Sequence, residues 1–122
     1  MAAAAAAVFA YKTISEGAQA RITDNFLALY NNLIGLQKAY ALSPLNVSAR
    51  EQLINHYEVI ATLYLRKEIN CSLVDELMKD YLIGEFSGFR DFIQNKRNAE
   101  PTTYNHLLDL MGKWDVKLES LS

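Results

Sequence analysis

Hydrophobic side chains recur along this chain at alternating spacings of four and three residues, which is the repeat of one face of an α-helix. The first such stripe occupies residues 22–40, with polar residues on the opposite face, and predicts a long helix that runs from the N-terminal alanines to Ala41. Because the stripe covers fewer than three heptads, it is typical of packing inside a bundle. Its members are Ile22, Phe26, Leu29, Leu33, Leu36 and Tyr40.

A second helix is predicted from Ser48, because Ser48 and Glu51 have the spacing of a capping box. Its apolar positions surround most of its circumference, since Val59 and Leu63 add an edge beside the main stripe that contains Tyr57. A helix that is apolar nearly all round is central in its domain or meets a partner. We therefore expect this helix to form the core.

The remaining helices are bounded by breakers and caps. The only two prolines, Pro44 and Pro101, lie between periodic segments, where helix breakers belong. Ser72 is predicted to cap a third helix that stops at Gly84. A short fourth helix with several phenylalanines follows it, interrupted at Gly88.

The last stripe, after Pro101, includes Trp114 and predicts a helix that closes the bundle, although residues 116–121 also alternate like a strand. The sequence therefore predicts an all-α fold: a small bundle of about five helices with a long N-terminal helix preceded by an alanine-rich helical extension.

The N-terminal segment differs from the rest, since its first eleven residues carry no charge and include six consecutive alanines. Eleven residues are too few to span a bilayer, which takes about 20. Three interpretations stay open: a short helical extension, the last turns of a truncated membrane anchor, or alanines that stand in for other residues. We divide the chain into residues 1–13, the extension or truncated anchor, and residues 14–122, a single helical domain.

Composition narrows the class of protein. A chain of 122 residues with 51% apolar and 21% charged side chains is expected to fold as one globular domain. Twelve basic and fourteen acidic side chains give a formal net charge of −2, so we expect no nucleic-acid partner. Cys71 is the only cysteine, which fits a reducing compartment. We therefore expect a cytoplasmic location, with the inner face of a membrane as an open alternative.

No motif for metal or cofactor binding is present. His56 and His106 have no metal-type neighbours three or four residues away, and no glycine-rich phosphate loop occurs, so we expect no cofactor and no metal. One face of the second helix carries Glu51, Asn55 and Glu58, which have the chemistry to hold a cation or to act as acid and base. A solvated or hydrogen-bonded helix face is the preferred interpretation of these residues.

Residues 53–61 (LINHYEVIA) resemble the N-x-Y-E-x-I-A-like segment of a bacterial and phage domain-of-unknown-function family. The likeness continues through Phe89, Phe92, Ile93, Lys96, Arg97, Tyr104, Lys113 and Trp114. The resemblance implies a short helical protein, often with one N-terminal transmembrane helix and a cytosolic domain, and it implies no activity. It also implies fold determinants, namely polar partners within the bundle and an aromatic that closes it: Asn55, Tyr57, Glu58 and Trp114.

The leading hypothesis is a non-catalytic protein–protein interaction or oligomerisation module, with a homo-oligomer or another protein as partner and a membrane tether through the N-terminus left open. One alternative, from the family context, is a membrane-acting effector in phage defence or phage–host conflict. Another is a small enzyme or metal protein that uses Glu51, Asn55 and Glu58. The candidate interaction or fold-determining residues are Ile22, Phe26, Leu29, Leu33, Leu36, Asn55, Tyr57, Glu58, Val59, Leu63 and Trp114.

Overall fold

The computed structural model describes the backbone of residues 2–118 and the side chains of residues 17–118. Residues 2–118 form five helices: α1 (Ala2–Leu42), α2 (Val47–Leu65), α3 (Cys71–Leu77), α4 (Lys79–Ala99) and α5 (Asn105–Lys113). No strand occurs between residues 2 and 118, so the predicted all-α bundle is confirmed.

Helix α1 is one continuous element of 41 residues, about 60 Å long at 1.5 Å per residue. It passes through residues 13 and 14 and through Gly17 without a break. The alanine-rich extension and the first predicted helix are therefore one helix, and the apolar stripe of residues 22–40 packs into the bundle.

The N-cap of helix α2 lies two residues before the predicted Ser48, so the predicted capping box is wrong. Asn46, whose backbone is extended, caps the helix, and its Oδ1 accepts a hydrogen bond from the backbone N–H of Ala49 at 3.1 Å. Asparagine is as good an N-cap as serine, so the cap falls on the first suitable residue after Pro44. Helix α2 is the core helix, since it contributes six buried residues and packs against both α1 and α5.

The third predicted helix is broken at Met78, not at Gly84. Asn70 rather than Ser72 caps α3, and its Oδ1 accepts from the N–H of Leu73 at 3.1 Å. Helix α4 then continues for 21 residues through Gly84 and Gly88.

The predicted stop at Gly84 is wrong because a buried stripe crosses it. Leu82, Phe86, Phe89 and Ile93 follow a spacing of four, three and four residues and are all buried on one side of α4. Burial of each large apolar side chain contributes about 1.5–3 kcal/mol. This gain exceeds the cost of about 1 kcal/mol that each helical glycine imposes.

Helix α5 is shorter than its stripe suggested. It ends before Trp114, and Asp115 takes a left-handed conformation with φ 62°. The N–H of Val116 then bonds to the carbonyl of Met111 at 2.9 Å, the pattern that terminates many helices. Residues 116–118 have no regular structure, and the rest of the predicted strand-like segment lies outside the described residues.

Side-chain contacts fix the directions of the helices. Thr23 bonds to Asn70 and Gln37 to Glu85, so the chain offset between α1 and the α3–α4 pair stays at 47 or 48 residues. Helix α1 and the α3–α4 pair therefore run parallel and side by side. The short turn after Leu42 makes α2 antiparallel to α1, so this turn forms one end of the bundle.

Candidate functional site

The face of α2 that carries Glu58 holds the start of α5. The two oxygens of Glu58 accept from the backbone N–H groups of His106 at 3.0 Å and Leu107 at 2.9 Å. The Nδ1 atom of His106 also lies 2.9 Å from the carboxylate. Helix α5 lacks a cap from its own chain segment, because the side chain of Tyr104 makes no capping bond. A carboxylate from α2 therefore supplies the acceptor and the negative charge that a helix N-terminus favours.

Asn55, one turn earlier on α2, forms a hydrogen bond to the turn between α4 and α5. Its Oδ1 accepts a hydrogen bond from the buried Tyr104 hydroxyl at 2.8 Å, and Tyr104 has a left-handed backbone with φ 62°. Burial raises the pKa of Tyr104, so this hydroxyl stays a donor. From α4, Arg97 Nη1 donates to the carbonyl of Thr103 at 2.8 Å and to the side chain of Asn105 at 2.7 Å.

The third polar group of this face, Glu51, lies 3.4 Å from Lys96 Nζ in an ion pair whose partners are both partly exposed. The three side chains proposed as catalytic or cation-binding thus each engage a different neighbour. Among the residues with described side chains, no group of three His, Cys, Asp or Glu is placed to hold a metal ion.

A second polar cluster joins three helices around Tyr57. Its hydroxyl, buried in the core, donates to Glu85 Oε2 at 2.7 Å, and Gln37 Nε2 lies 3.3 Å from the same hydroxyl and 3.5 Å from Glu85 Oε1. Burial raises the pKa of Tyr57 and also that of Glu85. The sequence singled out Tyr57 but missed both partners. A buried tyrosine hydroxyl indicates that some partner exists, but its identity depends on which helices become neighbours.

Trp114 packs at the end of the bundle where α2 and α5 finish. Its ring meets that of Tyr64 edge to face with centroids 5.6 Å apart, and Lys79 Nζ lies 5.7 Å from the Trp114 ring. The Tyr64 hydroxyl donates to Asp75 Oδ1 at 2.8 Å. Trp114 is partly buried against the core.

Cys71 lies beside this cluster with its Sγ 3.4 Å from the carbonyl oxygen of Tyr64. Burial and the charge of Asp75 raise the pKa of the thiol, which keeps it in the poorly nucleophilic protonated form. The thiol borders a cavity of about 410 Å³ between α1 and the loop that joins α2 to α3, together with Lys67 and Lys113.

The apolar stripe of α1 faces the bundle. Phe26 and Leu33 are fully buried, Leu29 and Leu36 pack against the core, and Ile22 is partly buried at the cavity beside Cys71. On α2, Leu63 also packs against the core, whereas Val59 is about half exposed. Of the apolar candidates chosen from the sequence, Val59 alone presents a large exposed side chain.

A different apolar surface lies along the groove between α1 and the α3–α4 pair. Leu27 follows Thr23 by one turn, on the side of α1 where Thr23 contacts the cap of α3. Tyr81 precedes Glu85 by one turn, on the side of α4 where Glu85 contacts α1. Leu77 is the last residue of α3, just before the break at Met78. All three side chains are about half exposed.

The offset of 47 or 48 residues places Leu77 and Tyr81 level with residues 29–34 of α1, where Tyr30 and Ile34 are partly exposed. We name this surface the lateral face: Leu27, Tyr30, Ile34, Leu77 and Tyr81. Leu77 and Tyr81 both belong to the third helix predicted between Ser72 and Gly84, because nothing local marks the break at Met78. The lateral face becomes recognisable only once that break and the parallel pairing are known.

Among the described residues, no helix combines the length and hydropathy that crossing a bilayer requires. Residues 1–114 match the family model described as Domain of unknown function (DUF4760), which confirms the resemblance to a domain-of-unknown-function family. No curated protein and no solved structure matches the chain.

Proposed function

We propose that this chain, which belongs to the DUF4760 family, is a non-catalytic protein–protein interaction or oligomerisation module whose contact surface is the lateral face. The observation that carries the proposal is the exposure of Leu27 on α1, Leu77 on α3 and Tyr81 on α4. The hydrogen bonds of α1 to Asn70 and Glu85 place all three along the same groove. Single exposed apolar residues need no explanation, but a contiguous set is typical of an interaction site.

The surroundings of the lateral face support a preorganised surface. The polar cluster of Gln37, Tyr57 and Glu85 links α1, α2 and α4, with Glu85 one turn after Tyr81 on α4. Leu33 on α1 and Leu82 on α4 are both buried in the core. Because these helices are already fixed relative to one another, their residues lose little backbone conformational entropy when a partner binds. Because each exposed side chain is only half available for burial, we expect a weak, concentration-dependent contact rather than an obligate one.

The polar groups argue for a non-catalytic role. Glu58 accepts bonds from two backbone amides and lies against the His106 ring, and Asn55 holds the Tyr104 hydroxyl. A general base must reach a substrate proton with a free lone pair. The carboxylate of Glu58 on α2 caps the start of α5, so its oxygens are already used as hydrogen-bond acceptors.

Static light scattering over a concentration series tests the proposal. We expect the average mass of the wild-type chain to rise with concentration and that of Tyr81→Ser to stay close to one chain. Val59→Ser is the matched control, because Val59 is exposed to a similar degree but lies on α2, away from the lateral face. We expect this variant to associate like the wild type.

Two outcomes would contradict the proposal. One is a wild-type chain that stays monomeric at every concentration and retains no protein partner in a pull-down. The other is association that Val59→Ser weakens and Tyr81→Ser leaves unchanged, because the interface would then lie on α2.

The proposal extends to a position on the cytosolic side of a membrane, reached through the N-terminus. Its support is that α1 continues unbroken from Ala2 into the bundle while the first eleven residues carry no charge. Fractionation of cells that express the natural gene tests this part. We expect the protein in the membrane fraction, and recovery in the soluble fraction alone would overturn the tether without affecting the lateral face.

A further inference from the structure

The turn between α1 and α2 carries the two most exposed large apolar side chains among the described residues, Leu42 and Leu45, with Val47 beside them. Leu42 is 85% exposed, Leu45 96% and Val47 55%. We name these three residues the apolar tip. They lie at the vertex of the hairpin formed by α1 and α2, at the opposite end of α1 from Ala2. The apolar tip is therefore separate from the lateral face and from any tether at the N-terminus.

The backbone of this turn satisfies much of its own hydrogen bonding. The N–H of Ser43 bonds to the carbonyls of Ala39 and Tyr40 at 3.3 and 3.2 Å, and the N–H of Asn46 bonds to the carbonyl of Ser43 at 2.9 Å. Pro44 has no N–H to satisfy. Removing unpaired backbone N–H groups from water costs free energy, so a turn with few of them enters an apolar medium at low cost.

Basic side chains outnumber acidic ones around the apolar tip. Lys38 lies one turn before Leu42 on α1, and Arg50 lies in the first turn of α2. The end of α4 is held beside them, since the Arg50 guanidinium carbon lies 5.0 Å from the centre of the Phe92 ring. In the segments that meet here, residues 38–51 and 91–100, the basic side chains are Lys38, Arg50, Lys96 and Arg97 and the acidic ones are Glu51, Asp91 and Glu100, with Lys96 paired to Glu51. A net positive end thus occurs on a chain whose formal net charge is −2.

We propose that the apolar tip binds the surface of an anionic lipid bilayer, with the leucines in the interfacial region and the basic side chains near lipid phosphates. Apolar burial and attraction between basic side chains and anionic lipids both strengthen such binding. The tip is convex, with its side chains at the vertex of a hairpin. A protein partner would need a matching pocket, whereas lipid headgroups and chains rearrange around a convex shape. This inference goes beyond the proposed function and uses none of its residues.

Vesicle flotation of the full chain tests the inference. The probes are vesicles of phosphatidylcholine alone and vesicles in which about a third of the lipid is phosphatidylserine. We expect wild-type chain to float with the anionic vesicles, and binding to fall at least about tenfold with neutral vesicles or on addition of about 0.5 M salt. The double variant Leu42→Ser/Leu45→Ser should lose about tenfold to a hundredfold in partitioning.

Val59→Ser is the matched control, because it removes a half-exposed apolar side chain outside both the tip and the lateral face and should float like the wild type. Tyr81→Ser should also float normally, so failure of the lateral face and failure of the tip are distinguishable. A Leu45→Trp variant adds a spectroscopic test. Its additional emission, relative to the wild type that carries Trp114, should shift to the blue and be quenched by brominated lipid.

Three outcomes would overturn the inference. The first is no flotation of the wild-type chain with anionic vesicles. The second is flotation that the double variant leaves unchanged, since another surface would then bind. The third is a Leu45→Trp emission that changes on addition of a protein partner but not of vesicles, which would assign the tip to protein recognition.

Discussion

Glu58 is the residue through which α2 determines the position of α5. Its carboxylate accepts hydrogen bonds from two backbone amides at the start of α5. The N-cap residue of α5, Tyr104, makes no side-chain capping bond of its own. An unsatisfied donor at a partly buried helix end costs about 1–3 kcal/mol. A directional polar contact of this kind fixes the position of a short helix, because apolar packing is not directional.

We therefore expect Glu58→Ala to lower the free energy of unfolding by about 2–3 kcal/mol, because it leaves the amides of His106 and Leu107 without their acceptor. Urea denaturation followed by circular dichroism measures the change. The matched control is Glu51→Ala on the same face, whose exposed pair with Lys96 should contribute less than about 1 kcal/mol. Equal losses in the two variants would contradict a special role for Glu58.

Glu85 gives a prediction about pH. Burial raises its pKa in the folded chain above the ordinary 4.5, so the folded state binds this proton more tightly than the unfolded state does. The contribution of Glu85 to stability is therefore most favourable below pH 4.5 and declines as the pH rises through the folded-state pKa. We expect Glu85→Gln, which keeps an acceptor for the Tyr57 hydroxyl, to be more stable than the wild type at pH 7.

The measurement is urea unfolding of both proteins between pH 4 and pH 7, read as the difference between them. That difference should grow with pH in favour of Glu85→Gln. A difference that stays constant, or that grows in favour of the wild type, would show that the carboxylate is not disfavoured by burial.

At the scale of elements, periodicity predicted the number of helices and the central place of α2, because apolar spacing is a local property of the sequence. Helix boundaries were less predictable. Asn46 and Asn70 compete with nearby serines for the caps, and nothing local marks Met78 as a break. The partners of Tyr57 and Glu58 lie 20 to 49 residues away, so they depend on tertiary packing.

Helix α4 offers a prediction at Gly88. A Cβ at this position would meet no neighbouring atom within 4 Å, and the backbone is helical. Alanine loses less conformational entropy than glycine on helix formation. We expect Gly88→Ala to raise the free energy of unfolding by about 0.5–1 kcal/mol in chemical denaturation. Gly112→Ala in α5 is a second open position, and a loss of stability in Gly88→Ala alone would reveal a close neighbour at α4.

At the scale of the whole molecule, the helices arrange exposed apolar residues on two separate surfaces. The lateral face runs along the groove between α1 and the α3–α4 pair, and the apolar tip lies at the end of the hairpin of α1 and α2. The sequence placed the apolar candidate contact residues on the stripes of the first two helices. Most of them are buried or pack against the core, because α2 is central and α1 runs beside the α3–α4 pair.

The central claim is that this module contacts a partner chain through the lateral face. Hydrogen–deuterium exchange of the wild-type chain, compared at low and at high protein concentration, locates the contact directly. The account predicts slower exchange at high concentration in residues 27–34 and 77–85, with no change around Val59. Two results would contradict this claim. One is unchanged exchange in a sample that light scattering shows to be associated, and the other is protection confined to the residues around Val59.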